Sequence, residues 1–538
     1  MLKLLSKQNF DKISRQDMKK KTGMFGHYLS MVRSEFKGYN AQKFLSDVIA
    51  GITVGAVALP LAIGFGATSV PNEYAAIGIP AGLITAILAG IITGLLGGGS
   101  FQISGPTGTM TVILCGLVLG EHGFVGMFAA GFLAGIIRLL AGVLHLGKII
   151  RFIPTPVVTG FTAGIALIIA LGQIGNFFGV TLEGVTTVEK VVYFFTDCLG
   201  SISIPALICS VLVVLLMAFY PKKLGKYIPA SLGALILATV VVAILPIEMK
   251  TIGEIPRSII NTEHLRFGDL SIGLLIDVAG PAFSIAMLCM IETLLCGTCA
   301  AEMKKEEFDP NIELVAQGVA NIVIAFFGGV PSTAALARTS VAIRAGGNTR
   351  IVGVFHSLFL VACMFILSGA IGMVPFAALA GVLVVTAFRM NDWAEIKRYF
   401  RGKVWTAIAQ FLVTMLVTLF VDLTTAILCG VALAFILFVV DLCKTEVEKE
   451  NKDGKAHIRL RGAYFFANSG LIRQELSDLG EYSEITLDFT DVVYADFSAG
   501  ETLWKVVADL KQSGKAVTFI GMHTNVRRIL TKAGVEME

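Results

Sequence analysis

Long apolar stretches alternate with short polar loops over most of this chain, from Asp47 to about Leu442. Many of the stretches approach 20 residues, the length that an α-helix needs to cross a hydrocarbon core about 30 Å thick. We therefore predict a polytopic α-helical membrane protein with fourteen membrane-spanning segments. These segments are 48–69, 76–96, 103–119, 124–146, 154–176, 203–220, 229–247, 275–297, 313–328, 331–345, 351–372, 376–388, 404–421 and 423–441.

Composition agrees with a membrane protein and excludes several function classes. Hydrophobic residues make up 55% of the 538 residues, the mean hydropathy is +0.78 and charged residues are 15%, against about 25% in soluble domains. The sequence holds no P-loop, nucleophile elbow or HExxH motif, so we expect neither ATP-driven pumping nor any enzymatic activity. The nine cysteines are scattered, which indicates reduced thiols rather than a disulfide framework. We expect no bound metal and no other cofactor.

The distribution of basic residues predicts the orientation. With a cytoplasmic N-terminus, the cytoplasmic loops hold fourteen Lys and Arg residues, and the opposite loops hold four, namely Lys190, Lys250, Arg257 and Arg266. Basic residues accumulate in cytoplasmic loops, so we predict a multi-pass protein of a bacterial-type plasma (inner) membrane with both termini cytoplasmic. The segment 1–46 holds ten basic residues. We interpret it as a cytoplasmic membrane-surface segment, without a removable signal peptide or a role in nucleic-acid binding.

The chain changes character after Leu442, where the polar segment 443–455 is predicted to be a charged linker. Alternation and turn signals then predict two strands, a helix with a Gly turn and a third strand, and a closing helix, in the segments 457–466, 484–498, 501–522 and 524–534. Residues 456–538 are therefore predicted to form a small cytoplasmic α/β domain.

Two of the apolar segments are interrupted in the same way. In "FQISGPTGTMTVIL" (101–114), Gly105 and Pro106 break the backbone among hydroxyl-bearing side chains, and in "FFGGVPSTAALARTSVAIRAGG" (326–347), Pro331 follows two glycines. A broken helix leaves N–H groups that lipid cannot satisfy, so such breaks line cavities. Secondary transporters use them in pairs, one in each inverted repeat. Because each half-helix start carries a partial positive charge and free N–H donors, two facing starts predict an anion site near the midplane.

Ionisable residues inside the predicted spans are few. Glu292 lies in mid-span, where a carboxylate costs on the order of 3 kcal/mol, and we predict a proton acceptor or cation ligand. The alternative is a neutral side chain satisfied by a backbone carbonyl. Arg338, about two turns into the second broken segment, either adds charge that favours a doubly charged anion or extends to the cytoplasmic face. We interpret Arg138 as a structural partner for a carbonyl group or as a near-interface charge.

Spaced motifs give the chain a resemblance to a known family. It resembles the SulP (sulfate permease) family of anion transporters in "QISGPTGTMTV" (102–112), "FIPTPVVTGFTAGIALIIALGQI" (152–174), "IETLLCG" (291–297), "GGVPSTAALARTSVAIRAGGNTR" (328–350) and "PFAALAGVLVVTAF" (375–388). It resembles the family's STAS domain in "GAYFFAN" (462–468) and "DFSAGETL" (496–503). The resemblance covers about residues 40 to 538.

The resemblance implies an architecture and a site. Within 47–442 it implies two inverted seven-helix repeats, about 47–247 and 270–442, divided into a core and a gate domain, with the STAS domain at 456–538. The anion is expected between the third and tenth spans, with Glu292 serving ion coupling. The implied substrate-binding residues are Gln102, Ser104, Thr107, Gly108, Thr333, Ala334, Ala335, Leu336 and Arg338.

Within this family, two residues favour sulfate, or a dicarboxylate, carried by proton-coupled symport with an elevator-type movement. The family's bicarbonate branch tends to have Asp at the position of Glu292 and to lack the Arg of the second broken segment, and a desolvated Glu takes up a proton readily. The alternatives are a sodium-dependent bicarbonate transporter, with Na⁺ in place of H⁺, and an uncoupled anion channel or exchanger on the same scaffold. A nucleobase carrier of the same architecture would lack the STAS tail.

The resemblance also implies partners. The expected partners are the small anion, the lipid bilayer and a second copy of the chain. The two copies are expected to form a homodimer through the STAS domain and the last spans. A cytoplasmic regulatory protein is a further expected partner of the STAS domain. In STAS relatives a Ser following an Asp is phosphorylated, and Asp496 and Ser498 match this loop, although Phe497 departs from the pattern. Ser498 is therefore a candidate regulatory residue, with a helix N-cap as the alternative.

Overall fold

The structure is a computed structural model that describes residues 23–147, 153–183, 187–221, 228–245, 248–253, 257–421, 423–452, 455–477, 479 and 482–535. It divides into two compact units, residues 1–430 and 431–538. Part of the evidence for the predicted orientation lies outside the described residues, namely residues 1–22 and the loop residues Lys148, Arg151, Lys222, Lys223 and Lys226.

The first unit is helical. Its first half contains α1 (23–35), α2 (Ala41–Thr68), α3 (Ala75–Leu96), α4 (Thr111–Leu119), α5 (Gly123–Val143), α6 (Thr155–Gly172), α7 (Ile174–Phe178), α8 (Thr187–Tyr193), α9 (Ile204–Ala218) and α10 (Ala230–Ile244). Its second half contains α11 (Ile272–Asp277), α12 (Ala279–Lys304), α13 (Pro310–Phe326), α14 (Leu336–Arg344), α15 (Ile351–Ile366), α16 (Ser368–Gly372), α17 (Phe376–Met390), α18 (Trp393–Arg401) and α19 (Trp405–Phe420). Helix α20 (Leu423–Leu442) continues into the second unit.

Each of the fourteen predicted spans overlaps one of these helices. Six helical stretches in the described residues are long and apolar enough to cross a membrane, and six shorter helices of 10–17 residues are also apolar. The polytopic helical fold is therefore confirmed, whereas the count of fourteen crossings stays a prediction. The helices α4 and α14, with nine residues each, are the short ones that a broken span requires.

Small residues bring the central helices into close contact. In α2 and α3, a Cβ added to Gly66 would lie 2.3 Å from the carbonyl oxygen of Gly78, so only glycine fits. In α5 and α13, a Cβ on Gly318 would lie 2.6 Å from the backbone nitrogen of Leu139. Helices in membranes associate through such small residues. The contact between α5 and α13 aligns the polar side chains of both helices behind the two broken segments.

The second unit is the α/β domain that the sequence predicts. Its sheet has the order β3 (Glu446–Lys452), β4 (Lys455–Tyr464), β5 (Glu484–Ala495) and β6 (Ala516–Ile520), with helices α21 (Ser469–Ser477), α22 (Phe497–Gln512) and α23 (Thr524–Lys532). Strand β3 is antiparallel to β4, and the pairs β4–β5 and β5–β6 are parallel. The predicted strands and the helices α22 and α23 are confirmed. Helix α21 is an element that the sequence patterns did not indicate.

The predicted charged linker over 443–455 is wrong in its central part. Residues 446–452 form β3, which pairs with β4 from Glu446 opposite Arg461 to Lys452 opposite Lys455. Charged residues are typical of an edge strand, where they discourage pairing with other chains. Val447 packs against the core of the domain, and the other positions are mostly charged. An edge strand of this kind cannot be distinguished from a charged linker by its composition.

Candidate functional site

The two broken segments meet. Residues Ser104–Gly105 (β1) and Thr333–Ala334 (β2) form a short antiparallel pair, in which Ser104 lies opposite Ala334 and Gly105 opposite Thr333. The backbone N–H of Ala335 donates to the carbonyl of Ile103 at 3.1 Å and extends the pairing. Each strand is followed within a few residues by a half-helix, α4 or α14. The sequence prediction that both interruptions lie at one place is confirmed.

Glu292, in the middle of α12, contacts the first broken segment. Its Oε2 atom accepts from the hydroxyl of Thr107 at 3.2 Å and from that of Thr109 at 2.9 Å, and the two hydroxyl oxygens are 2.6 Å apart. Both threonine side chains are buried, and that of Glu292 is partly exposed. Among the described residues, these two hydroxyls are the hydrogen-bond partners of the carboxyl group, which excludes the alternative of a backbone carbonyl partner for Glu292.

Thr293, the next residue of α12, contacts the second broken segment. Its Oγ1 lies 2.8 Å from the Oγ1 of Thr333. The hydroxyl of Thr333 also donates to the carbonyl of Cys289 at 3.2 Å. The carbonyl of Thr293 accepts from Nε2 of Gln102 at 2.8 Å. One turn of α12 therefore bonds to both interruptions, to Thr107 through Glu292 and to Thr333 through Thr293.

Arg338 is buried rather than extended to the surface, with 1% of its area exposed. Its Nη2 donates to the carbonyl of Pro106 at 2.7 Å, so the second broken segment is bonded to the first. The guanidinium packs on Gly105, where an added Cβ would lie 2.3 Å from Nη1. Among the described residues, the buried Nε and Nη1 atoms of Arg338 have no hydrogen-bond partner. The site thus contains a buried cation with spare donors.

The remaining predicted positions contribute shape and backbone. Gly108 lies close to a neighbouring side chain, because an added Cβ would lie 2.1 Å from Cδ1 of Ile169, which would have to move. Ser104 is buried and its hydroxyl accepts from Gln317, whereas Leu336, at the start of α14, is 42% exposed. Ala334 and Ala335 take part through the backbone pairing described above.

Comparison with known proteins assigns this arrangement to a family. The sequence model of the sulfate permease family matches residues 44–417. The chain belongs to the sulfate permease family. The STAS domain model matches residues 446–538. As a member of this family, the protein is a membrane transporter of anions and not an enzyme.

Relatives of known name differ in substrate. The chain is 32% identical over 522 residues to the "Putative sulfate transporter YvdB" of Bacillus subtilis, covering 93% of this chain and 96% of that protein. It is 27% identical to the "Bicarbonate transporter BicA" of Picosynechococcus, with 90% of each chain covered. The solved structure of a murine anion transporter, Solute Carrier 26 family member A9, has the same fold, with a TM-score of 0.80, 18% identity, and coverage of 94% of this chain and 90% of that one.

The sequence prediction missed a polar network behind the two interruptions of this transporter. Arg138 on α5, completely buried, donates from Nη1 to the carbonyl of Ser332 at 2.8 Å, and from Nη2 to Oε1 of Gln317 at 3.0 Å and to Oγ1 of Thr293 at 3.3 Å. Nε2 of Gln317 donates to Ser104 at 2.6 Å and to Oε1 of Glu313 at 3.0 Å. We call Arg138, Gln317 and Glu313 the Arg138 network. It bonds to both broken segments.

The polar helix face of α13, with Glu313, Gln317 and Asn321 four residues apart, is the signal that could have revealed this network. Asn321 holds the same point as Arg138: its Oδ1 accepts from the N–H of Ser332 at 2.7 Å, and its Nδ2 donates to the carbonyl of Ser332 at 3.2 Å. The interpretation of Arg138 as a partner for a carbonyl group is confirmed, but the carbonyl belongs to the broken segment itself.

Ser498 is exposed near the start of α22, in the second unit. The N-cap of this helix is Asp496, whose Oδ1 accepts from the N–H of Ala499 at 2.8 Å. The alternative interpretation of Ser498 as the N-cap is therefore wrong. The hydroxyl of Ser498 does not cap the helix, and the regulatory role of this residue stays a prediction.

Proposed function

We propose that the protein carries sulfate, or a dicarboxylate of similar charge, in symport with a proton that binds Glu292. The observation that carries this proposal is the triangle of oxygens at Glu292, Thr107 and Thr109. When the carboxyl is ionised, two hydroxyl hydrogens serve three oxygen–oxygen contacts of 2.6, 2.9 and 3.2 Å. A protonated carboxyl supplies the third hydrogen. Because a hydroxyl can donate or accept, this site accommodates both protonation states.

The anion side of the proposal rests on positive charge. Each of the two paired strands leads into the start of a half-helix, and the buried guanidinium of Arg338 packs on the first strand at Gly105. Each helix start is equivalent to about half a positive charge. The spare donors of Arg338 suit an oxyanion, since an arginine bonds such groups with several N–H atoms at once. A doubly charged anion gains more from this potential than a singly charged one. The proposed substrate class follows from that difference.

The test is uptake of labelled sulfate, fumarate and bicarbonate by proteoliposomes, with and without an inward proton gradient. We expect the gradient to drive accumulation of sulfate or fumarate. In Glu292→Gln, gradient-driven accumulation should be lost while exchange of labelled for unlabelled anion persists, because the fixed neutral side chain cannot carry a proton. Asp277→Asn, which changes an exposed carboxylate paired with His122, serves as the matched control and should leave accumulation unchanged.

Other outcomes select other functions. Carboxylate and hydroxyl oxygens also suit Na⁺, so sodium is the alternative coupling ion at Glu292. Uptake that requires sodium and ignores the proton gradient, with bicarbonate as the preferred anion, would contradict proton symport and favour the sodium-dependent bicarbonate function. Conductive anion flux unchanged in Glu292→Gln would favour an uncoupled channel or exchanger.

The proposal includes an elevator-type movement, in which the paired broken helices move with their bound anion relative to the other spans. It also includes a bacterial-type plasma membrane location with both termini cytoplasmic, and a homodimer formed through the STAS domain and last spans. Ser498 is the proposed regulatory residue for a cytoplasmic partner of the STAS domain. Its exposed hydroxyl near the start of α22 supports access by such a partner. Crosslinking of the full chain in native membranes would test the dimer.

A further inference from the structure

A short helix, α18, connects the apolar helices α17 and α19 and has one packed face. Tyr399, 4% exposed, forms a small core with Ala407 and Ile408 of α19. Asp392 caps the helix, its side chain accepting from the N–H of Glu395 at 3.0 Å. The opposite face of α18 is exposed along its length. The helix is therefore fixed to the apolar body by one side only.

Aromatic side chains occupy one flank of the exposed face. Trp393 is 41% exposed, Phe400 is 48% exposed and Trp405, the first residue of α19, is 73% exposed. Two of the three tryptophans in the chain thus lie at this nine-residue helix, Trp393 as its first residue and Trp405 shortly after its end. The Trp393 ring packs on Phe388 of α17 with centroids 4.8 Å apart, and Phe388 is itself 62% exposed. The aromatic surface is continuous with α17 and α19.

Basic side chains lie beside these aromatic rings. Lys397 and Arg401 are one helical turn apart, and Lys403, with a φ of +50°, lies between the end of α18 and the start of α19. Among the described residues, no carboxylate lies within 4 Å of these three basic groups, whereas Arg398 is paired with Glu395 at 2.7 Å. The three are exposed. Their charge is available to a partner outside the chain.

Aromatic and basic residues on one short helix are typical of a segment that lies in the plane of a membrane surface. Tryptophan is enriched at the level of the lipid headgroups, and amphipathic helices with Lys and Arg on their polar face bind anionic lipids. We propose that α18 and its flanking residues bind the headgroups of anionic phospholipids, with Lys397, Arg401 and Lys403 as the binding charges. The occupant is lipid rather than protein because the aromatic flank continues directly onto the apolar helices α17 and α19.

The experiment uses the chain's few tryptophans. In the full-length Trp504→Phe variant, Trp393 and Trp405 are the only tryptophans left, so intrinsic fluorescence reports on α18. The protein is reconstituted in phosphatidylcholine vesicles that contain equal fractions of either brominated phosphatidylglycerol or brominated phosphatidylcholine. We expect quenching by the anionic lipid to exceed quenching by the zwitterionic lipid by about twofold or more. The difference should decrease at high ionic strength.

A charge variant and a matched control distinguish lipid binding by α18 from a general attraction of the basic protein to anionic vesicles. The combined variant Lys397→Gln, Arg401→Gln and Lys403→Gln should quench equally with both lipids. Neutralising three exposed basic residues of the STAS domain, Lys511, Arg528 and Lys532, should leave the preference intact.

Equal quenching of Trp393 and Trp405 by both lipids, with α18 otherwise unmodified, would overturn the proposal. This test remains valid even if the charge variant does not fold. Quenching by neither lipid would mean that protein covers the helix, and would overturn it too. The measurement involves no transport, so its result is independent of the proposed symport.

Discussion

Two carboxyl groups of the transport region, Glu292 and Glu313, differ in the donors that surround them. The two oxygens of Glu313, which is completely buried, accept from the backbone N–H of Gly98 at 2.9 Å and from the amide nitrogen of Gln317 at 3.0 Å. Glu292 accepts from hydroxyl groups alone, among the described residues. An N–H group can only donate, whereas a hydroxyl can donate or accept. The donors at Glu313 can therefore only donate, whereas the hydroxyls at Glu292 can also accept a hydrogen from a protonated carboxyl.

The two buried arginines differ in the same way. Arg138 uses both of its Nη nitrogens in hydrogen bonds to Ser332, Gln317 and Thr293, and among the described residues only its Nε is without a partner. Gln317 links it to the carboxyl group of Glu313. Arg338 has one hydrogen bond, to Pro106, and two spare nitrogens among the described residues. The hydrogen bonds of Arg138 fix the broken segments in place. Arg338 retains unused N–H donors beside these segments, and a transport site needs such donors to bind its substrate.

The largest effect is expected from removing the two arginines in turn. Arg138→Met removes a buried cation and its hydrogen bonds to Ser332, Gln317 and Thr293, so that the Ser332 carbonyl keeps only the bond from Asn321. We expect this loss to destabilise by about 3–5 kcal/mol, as for breaking a buried ion pair. Arg338→Met removes a buried charge with one hydrogen bond, so its effect on stability should be within about 1–2 kcal/mol, while substrate-induced stabilisation is lost. Thermal unfolding of both purified variants, with and without sulfate, measures the contrast. Equal unfolding temperatures would remove the distinction between the two arginines.

A smaller effect is expected from neutralising the two carboxylates. Glu313→Gln places an amide NH₂ against an N–H donor, an unsatisfied contact that destabilises by about 1–3 kcal/mol. Glu292→Gln should change stability by less than about 1 kcal/mol, because the hydroxyls of Thr107 and Thr109 can reorient to accept. Unfolding temperatures of the two variants test this.

A double-mutant cycle makes the comparison sharper. In the Arg138→Met, Glu313→Gln double variant, the two losses should not add, with a coupling of about 0.5–3 kcal/mol, because both residues belong to the Arg138 network. The pair Arg138→Met and Glu292→Gln should be closer to additive. A stronger coupling of Arg138 to Glu292 than to Glu313 would contradict the assignment of Glu313, and not Glu292, to the Arg138 network.

A glycine at the contact between the two broken segments supports a further prediction. In Gly105→Ala the new Cβ would lie 2.3 Å from Nη1 of Arg338, so the guanidinium must move. Overpacking of this kind destabilises by about 1 kcal/mol or more, and the apparent affinity for sulfate should fall. Gly116→Ala in α4 is the matched control, since nothing lies within 4 Å of its Cβ. An unchanged KM for sulfate in Gly105→Ala would show that the position of Arg338 is not critical.

The sequence predicted the interruptions because glycine, proline and hydroxyl residues in an apolar segment conflict with a lipid-facing helix. It predicted Glu292 because a charge in mid-span is costly. The Arg138 network was not predictable in this way, since Arg138 contacts residues 155, 179 and 194 positions away, and no local pattern determines those partners. Strand β3 was missed because its charges resemble those of a linker. In both cases the tertiary partner, which a single chain pattern does not specify, decided the outcome.

The smallest predicted effect lies in the STAS domain, at the largely buried Asp488 on β5. Burial alone raises the pKa of this carboxyl, but hydrogen bonds from the hydroxyl and N–H of Thr490, with the charge of Arg459, lower it overall below the ordinary value of 3.8. The folded state therefore gains stability from the ionised form, which is fully present above about pH 4 and is lost as the pH falls through the folded-state pKa.

Asp488→Asn retains an oxygen that can accept from Thr490 and removes the charge, so at pH 7 it should destabilise by less than about 1 kcal/mol, as for other pairs near a surface. The difference between Asp488→Asn and the unmodified chain should shrink as the pH falls below about 4 and through the lowered folded-state pKa of Asp488. Denaturant unfolding followed by Trp504 fluorescence, in a chain with Trp393→Phe and Trp405→Phe, measures both values. A difference that does not change with pH would mean that Asp488 has the same pKa in the folded and the unfolded chain, and a difference that grows with acidity would mean that folding raises this pKa rather than lowering it.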